Sequence, residues 1–324
     1  MDVSRILVVR PDGIGDVVLT TPAFQLVRKL FPLADLHAWV GRAVLPILEG
    51  VSYLNHVTTP PPTMGAASFK SYDRVYFFNS TPGMMFGAWR ARVQERIGNR
   101  SKLESFLFLN RGLRQSRSRV ARHEAEYGLE LVSRDPTAWD LRTRITVPVK
   151  ARGEAQAWLE RFELGRDFVL IHPGMKGSAA NWPLANYIEL GRRLAREGWE
   201  VLFSVGPDDV EVRDVLSREV WDQNPRGPRV FDAMGQSFDC LAALLERARL
   251  VIAPSTGPLH VAVALGRNVL SFYPHTLVQS PKRWGPFRPE GRAAILQPPA
   301  AFPAELQRVQ VTDALKEAKR MLES

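Results

Sequence analysis

Cysteine is almost absent from this chain. Cys240 is its only one, so no intrachain disulfide is possible, and the chain suits a reducing cytoplasm. Long apolar runs are missing too. None approaches the ~20 residues that cross a bilayer, and Ile6-Leu7-Val8-Val9 is too short for a signal-peptide core. Low-complexity tracts and short-period repeats are also lacking. His172 and His260 stand in no His/Cys/Asp cluster at ligand spacing, so no metal centre is expected. Asp12-Gly13-Ile14-Gly15-Asp16 falls short of a dinucleotide fingerprint. Val18 takes the place of the third glycine, and no acid closes the next strand as a ribose ligand. Lys176-Gly177-Ser178 lacks the spacing of a phosphate-binding Walker loop. No G-x-S-x-G elbow is present.

What remains is an ordinary globular composition, 45% apolar and 24% charged over 324 residues, long enough for two domains. The formal charge is +9, which favours anionic partners. It concentrates between Arg90 and Arg122, where ten basic residues face two acidic ones. That stretch reads either as a solvated helical face or as a surface that meets a negative partner, including an acidic membrane. No nucleic-acid module accompanies the charge, so nucleic acid is not an expected partner.

Apolar runs alternate with helical patterns along the whole chain, predicting parallel sheets built from βαβ units. Strands are expected at Ile6–Val9, Ala34–Val40, His56–Thr58 and Val75–Phe78. The basic segment then reads as helical, followed by a helix beginning near His123. Pro22 suggests that the first helix starts nearer Thr21. The pattern resets around residues 147–150. Beyond it come strands at Phe168–Ile171, Glu200–Val205, Arg249–Pro254 and Val269–Phe272, and a last helix at Val311–Leu322. The expectation is two open α/β domains, residues 1–150 and 151–324, with a cleft between them.

One stretch organises the second half. Ser255-Thr256-Gly257-Pro258-Leu259-His260 joins a strand to a helix. Pro258 suits the first turn. Ser255 and Thr256 carry hydroxyls where the first N–H groups lack partners. Gly257 lets an oxygen approach the backbone, and His260 adds a donor. Such a helix start is either an ordinary capped turn or a seat for a diphosphate. Lys176 and Ser178, after another strand, could hold the diphosphate's other side. Asp209 could accept from ribose hydroxyls or cap the next helix. In the first half, Gly13 and Gly15 leave room for a substrate against the backbone, with Asp12 beside them. Asp16 could take a proton from a hydroxyl nucleophile or serve as an N-cap. Trp182 reads as core.

With these pieces placed, Arg10-Pro-Asp-Gly-Ile-Gly-Asp16-Val-Val-Leu-Thr-Thr-Pro22, Ile171-His-Pro-Gly174, Trp182-Pro183 and Ser255-Thr-Gly-Pro-Leu-His260 together resemble the ADP-heptose:lipopolysaccharide heptosyltransferase family, glycosyltransferase family 9. The resemblance implies a GT-B architecture of two Rossmann-like domains with parallel sheets facing a central cleft. It implies an inverting glycosyltransferase that needs no metal or other cofactor. The N-terminal domain, with Asp12, Gly13 and Gly15, takes the lipid-linked anionic acceptor, the inner core of lipopolysaccharide. The C-terminal domain takes the ADP-sugar. Asp16 matches the family's general base. Thr256, Gly257 and His260 match its donor motif, and Asp209 its ribose-contacting acid. Two departures bear on the sugar: Ala180 stands where members often carry Lys or Arg, and Ser255 where well-known members carry Asp. The runner-up is a transferase of the same fold using another nucleotide sugar or glycan acceptor. The setting implied is cytoplasmic, with peripheral contact to the inner membrane.

Overall fold

The computed structural model describes residues 4–165, 167–174, 180–207, 209–220, 227–232 and 238–323. The chain divides into two compact units, residues 1–146 and 147–324. The division falls within the reset expected at residues 147–150, and the first helix of the second unit begins at Val149, behind Pro148.

In the first unit the order is β1 (Arg5–Arg10), α1 (Ile14–Leu30), β2 (Asp35–Val40), α2 (Leu45–Leu48), β3 (His56–Thr58), β4 (Arg74–Phe77), α3 (Pro82–Arg90), β5 (Glu95–Asn99), α4 (Leu103–Phe108), β6 (Arg111–Leu113) and α5 (Glu124–Val132). In the second it is α6 (Val149–Arg161), β7 (Phe168–Ile171), α7 (Leu184–Arg196), β8 (Glu200–Val205), α8 (Val210–Glu219), β9 (Arg229–Asp232), α9 (Phe238–Arg247), β10 (Leu250–Ile252), α10 (Gly257–Ala264), β11 (Asn268–Phe272), α11 (Pro281–Trp284), β12 (Ala293–Leu296) and α12 (Val311–Leu322). Each unit holds one six-stranded sheet, ordered β3-β2-β1-β4-β5-β6 and β12-β11-β10-β7-β8-β9. Every pairing is parallel. Both sheets are therefore doubly wound, with the same strand order counted from the first strand of each unit.

The central strands read as unbroken apolar runs because helices cover both faces. Ile6 to Val9 and Phe168 to Ile171 are fully buried. In the second unit Trp182 lies in the core as expected. Its ring stacks on Phe272 at 4.3 Å and its Nε1 donates to the Val309 carbonyl at 2.9 Å.

Two expectations fail for physical reasons. First, α1 begins at Ile14 and runs straight through Pro22. Proline removes the N–H that would reach the Val18 carbonyl, but the Thr21 hydroxyl donates to that carbonyl at 2.8 Å instead. Second, the basic stretch is not one helix: it contains β5, α4 and β6. Gly112 sits at a φ of 130°, and a Cβ there would fall 1.9 Å from the Gly98 carbonyl oxygen. Only glycine allows β6 to pair with β5 in this register.

Candidate active site

In a doubly wound sheet, ligands settle beyond the carboxyl ends of the strands, where the order reverses. In the first unit that point lies between β1 and β4; in the second, between β7 and β10. Two of the motifs singled out from sequence leave these strands directly: Arg10–Asp16 follows β1, and Ser255–His260 follows β10.

At the end of β1, Arg10 turns inward and is buried. Its guanidinium donates to the Asp16 carboxylate at 2.6 Å and to the Phe78 carbonyl at 3.2 Å. Its Nε lies 3.3 Å from Asp12, and Glu124 lies 3.8 Å away. Asn79, just after β4, donates to Asp12 at 2.7 Å. Arg117 holds Glu124 at 2.6 Å. Gly41, after β2, packs on the loop so closely that a Cβ would fall 2.8 Å from the Asp12 carbonyl oxygen. Loops from β1, β2 and β4 thus converge around one buried cation.

Asp16 does not cap its helix. The N-cap is Gly13; Gly15 and Asp16 lie in the first turn, and the Asp16 side chain faces Arg10. Its side chain is 32% exposed, so one edge meets solvent. Burial pushes its carboxyl above the ordinary carboxylate value. Arg10 pulls it back, while Asp12 and Glu124 push it up further. A carboxylate with raised proton affinity, fixed by a charged hydrogen bond on one oxygen, is suited to accept a proton.

In the second unit the Thr256 N-cap makes no side-chain bond to the helix start. Instead its N–H and hydroxyl both donate to the Pro254 carbonyl, at 2.7 and 3.3 Å. The expected hydroxyl cap is therefore replaced by a tight turn. Pro258 has no N–H to satisfy, and no side chain caps the first turn that begins at Gly257. This leaves the positive end of α10 without a side-chain cap. Ser255 and Gly257 are half-buried at the turn, and His260 is buried one turn into α10.

Asp209 heads α8 without capping it. Its carboxylate accepts from the Gly206 N–H at 3.2 Å. It also lies against Gly174, where a Cβ would come within 2.2 Å of Oδ2. The loops after β7 and β8 thus meet at this acid. His172 is buried beside Ser204, with Nδ1 and Oγ 3.0 Å apart. Burial holds its pKa down to about 4, with Asp209 opposing. It is a neutral positioning group, not a phosphate-binding cation. Asn181 donates to the Pro173 carbonyl at 2.8 Å, fixing the same turn. Lys176 and Ser178 lie outside the described residues.

The structure also brings together a group the sequence spacing hides. Asp35 and His37 share a face of β2, and the parallel register sets His56 opposite His37. Their ligand atoms lie within 4.8 Å of one another. Arg5 already occupies this group, with Nε 3.1 Å from Asp35. A cation would have to displace a guanidinium, and the group stands at the starting ends of the strands, away from Asp16.

Arg10 and Glu124 are the functional-site residues that sequence reasoning passed over. Arg10 carried a signal, a charge ending an otherwise apolar buried strand. Glu124 carried none, since it sits more than a hundred positions away at the start of an ordinary helix.

The pattern defining glycosyltransferase family 9 (heptosyltransferase) matches residues 70–306. A Haemophilus influenzae protein provisionally named a glycosyltransferase is 28% identical over 337 residues, covering 97% of this chain and 95% of that one. Lipopolysaccharide heptosyltransferase 2 of Escherichia coli is 23% identical over 295 residues, covering 83% and 82%. The solved structure of the E. coli ADP-heptose lipopolysaccharide heptosyltransferase II superimposes with a TM-score of 0.82 at 19% identity, covering 98% of each chain. The fold is thus the GT-B kind, two Rossmann-like domains. The chain belongs to glycosyltransferase family 9, the heptosyltransferase family, and is a glycosyltransferase.

Proposed function

We propose that this chain moves a heptose from ADP-heptose to the inner core of lipopolysaccharide, inverting the anomeric centre without a metal. The observation that carries the reading is Asp16: a half-buried carboxylate of raised proton affinity, gripped by Arg10 at the switch point of the first sheet. The names of the relatives supply the donor and acceptor.

In the proposed reaction an acceptor hydroxyl attacks the anomeric carbon of the donor. The new C–O bond forms as the bond to the diphosphate oxygen breaks, and ADP leaves with that electron pair. The hydroxyl proton passes to Asp16. Help of this kind is worth ~10²–10⁴ in rate. Asp12, Gly13 and Gly15 line the acceptor side. Charge grows on the departing diphosphate, so donors aimed at it act most strongly in the transition state. The amide end of α10 at Gly257, the hydroxyls of Ser255 and Thr256, His260, Lys176 and Ser178 fill that role. Asp209 receives the ribose hydroxyls. The acceptor is lipid-linked, which places the chain peripherally at the cytoplasmic face of the inner membrane.

A second reading keeps the chemistry and changes the sugar or acceptor. Ser255 favours it, because a neutral hydroxyl stands where a carboxylate would contact the donor sugar. Incubating the chain with a panel of nucleotide sugars and core-truncated lipopolysaccharide, followed by mass spectrometry, separates the two. A heptose added from ADP-heptose, with the anomeric configuration inverted by NMR, supports the first reading. Transfer from a different donor alone refutes it in favour of the second.

A further inference from the structure

The helices α3 and α4 pack against each other at one side of the first sheet. Between them they hold five of the thirteen large apolar residues that are exposed among the described residues. Phe86 and Trp89 are 41% and 47% exposed on α3, and Leu103, Phe106 and Leu107 are 73%, 48% and 60% exposed on α4. A cluster of rings joins the two helices. Phe86 stacks on Trp89 at 5.7 Å, and both rings lean on Phe108, at 5.4 and 6.0 Å. Scattered exposed apolar residues need no explanation, but aromatic and leucine side chains gathered on two packed helices mark an interaction surface.

Its rim is basic, and the basic stretch sorts into two sets. Arg111, Arg117 and Arg122 pair with Glu95, Glu124 and Glu130, and Arg96 is spent on the Phe108 and Val93 carbonyls. These are structural. Arg90, Arg92, Lys102, Arg114 and Arg119 are exposed, and none has an ion pair among the described residues. Arg100 and Arg114 hold their guanidiniums over the Phe106 ring, at 4.9 and 5.7 Å. Glu104 is the lone carboxylate on α4. Beside the patch opens a groove of about 720 Å³ lined by Arg100, Lys102, Phe106, Arg114 and Arg117. Arg117 reaches Glu124, which stands beside Arg10, the partner of Asp16.

We propose that this face docks the protein on an anionic bilayer surface. Trp89, Phe86, Phe106, Leu103 and Leu107 enter the boundary between headgroups and acyl chains, and Arg90, Arg92, Lys102 and Arg114 engage lipid phosphates. Aromatic and leucine side chains ringed by unpaired cations are the composition of interfacial anchors. A second copy of this chain is a poorer occupant, since the basic rim would face itself and like charges repel across an interface. The proposal extends the reading of a lipid-linked acceptor, which gives the docking its purpose, but vesicle binding is measured without acceptor or donor.

The experiment is sedimentation of the full chain with phosphatidylglycerol vesicles and with phosphatidylcholine vesicles, at low and high salt. The chain should pellet with the first and not the second, and salt should weaken it. Two double variants at exposed positions are compared by melting temperature to establish folding: Leu103→Asp with Leu107→Asp, and Lys102→Glu with Arg114→Glu. Each should lower vesicle partitioning by at least about tenfold with the melting temperature kept. Equal pelleting by folded variants and parent overturns the proposal. So does self-association that Leu103→Asp with Leu107→Asp abolishes, in a chain that ignores vesicles. Transfer to a delipidated acceptor is read separately. Its loss would overturn the function while leaving the surface standing, and failure to pellet would do the reverse.

Discussion

Replacing Arg10 by Gln tests the electrostatic centre of the first unit. The change keeps a polar, though shorter, side chain and removes the charge. In the parent, one buried guanidinium faces Asp16 at 2.6 Å, Asp12 at 3.3 Å and Glu124 at 3.8 Å. Removing the cation from such a group leaves carboxylates buried against each other, at a cost of about 3 kcal/mol at the lower end for broken buried pairs. Glu124 keeps Arg117 at 2.6 Å, which is why the lower end applies. For a unit of residues 1–146, a shift of about 2–4 °C per kcal/mol predicts a melting point lower by roughly 6–12 °C. The sign of the catalytic effect follows from the same contacts. Arg10 lowers the proton affinity of Asp16, whereas burial, Asp12 and Glu124 raise it. Without Arg10 the carboxyl holds its proton to higher pH, so the acid limb of kcat/KM moves toward alkaline pH. The assays are thermal denaturation and a pH profile of sugar transfer. The double variant with Asp16→Asn should lose less than the sum of the two single changes. A melting point within about 2 °C of the parent, or an acid limb that stays in place, would refute the reasoning.

Three further outcomes are expected. Gly174→Ala drives a methyl into the space of the Asp209 carboxylate, 2.2 Å from Oδ2; displacing that acid should weaken ADP binding about tenfold by calorimetry, and unchanged affinity would detach Asp209 from the nucleotide. Thr21→Val removes the donor to the Val18 carbonyl and the acceptor of the Arg144 N–H; urea denaturation should show a loss of about 1–3 kcal/mol. His172 takes its proton near pH 4 when folded, against 6.5 for the ordinary imidazole. The unfolded chain therefore binds the proton first, and stability falls as pH drops from 6.5 toward 4; His172→Gln should flatten that fall in denaturation midpoints.

The periodicity of apolar residues carried most of the fold. Runs such as Phe168–Ile171 and Glu200–Val205 become strands at the residues expected, because parallel central strands are buried on both faces. The edge strand β3 was legible at His56–Thr58, but the opposite edge, β6, was hidden for the converse reason. Arg111-Gly112-Leu113 has one apolar side chain, and its pairing depends on a glycine fitting against another glycine's backbone. Proline at position 22 misled because the compensating hydroxyl at Thr21 makes a contact that only coordinates reveal. The charge of the basic stretch was overstated because a window ending at Arg122 cut away Glu124 and Glu130, which neutralise two of its arginines. For the candidate site, Asp16 and the Ser255–His260 turn were legible as strand-to-helix junctions. That neither the Asp16 nor the Thr256 side chain bonds to its helix start was not legible, since a capping side chain and a free functional group occupy the same place in a sequence.

Asp16→Asn gives the most direct measurement. Amide for carboxylate preserves shape, leaves a hydrogen-bond acceptor for Arg10 and removes the proton acceptor. Single-turnover transfer and ADP-sugar calorimetry should be run on the same preparation. The account predicts donor affinity like the parent's and sugar transfer slower by about a hundredfold or more. Transfer at the parent rate by a folded Asp16→Asn protein would contradict it.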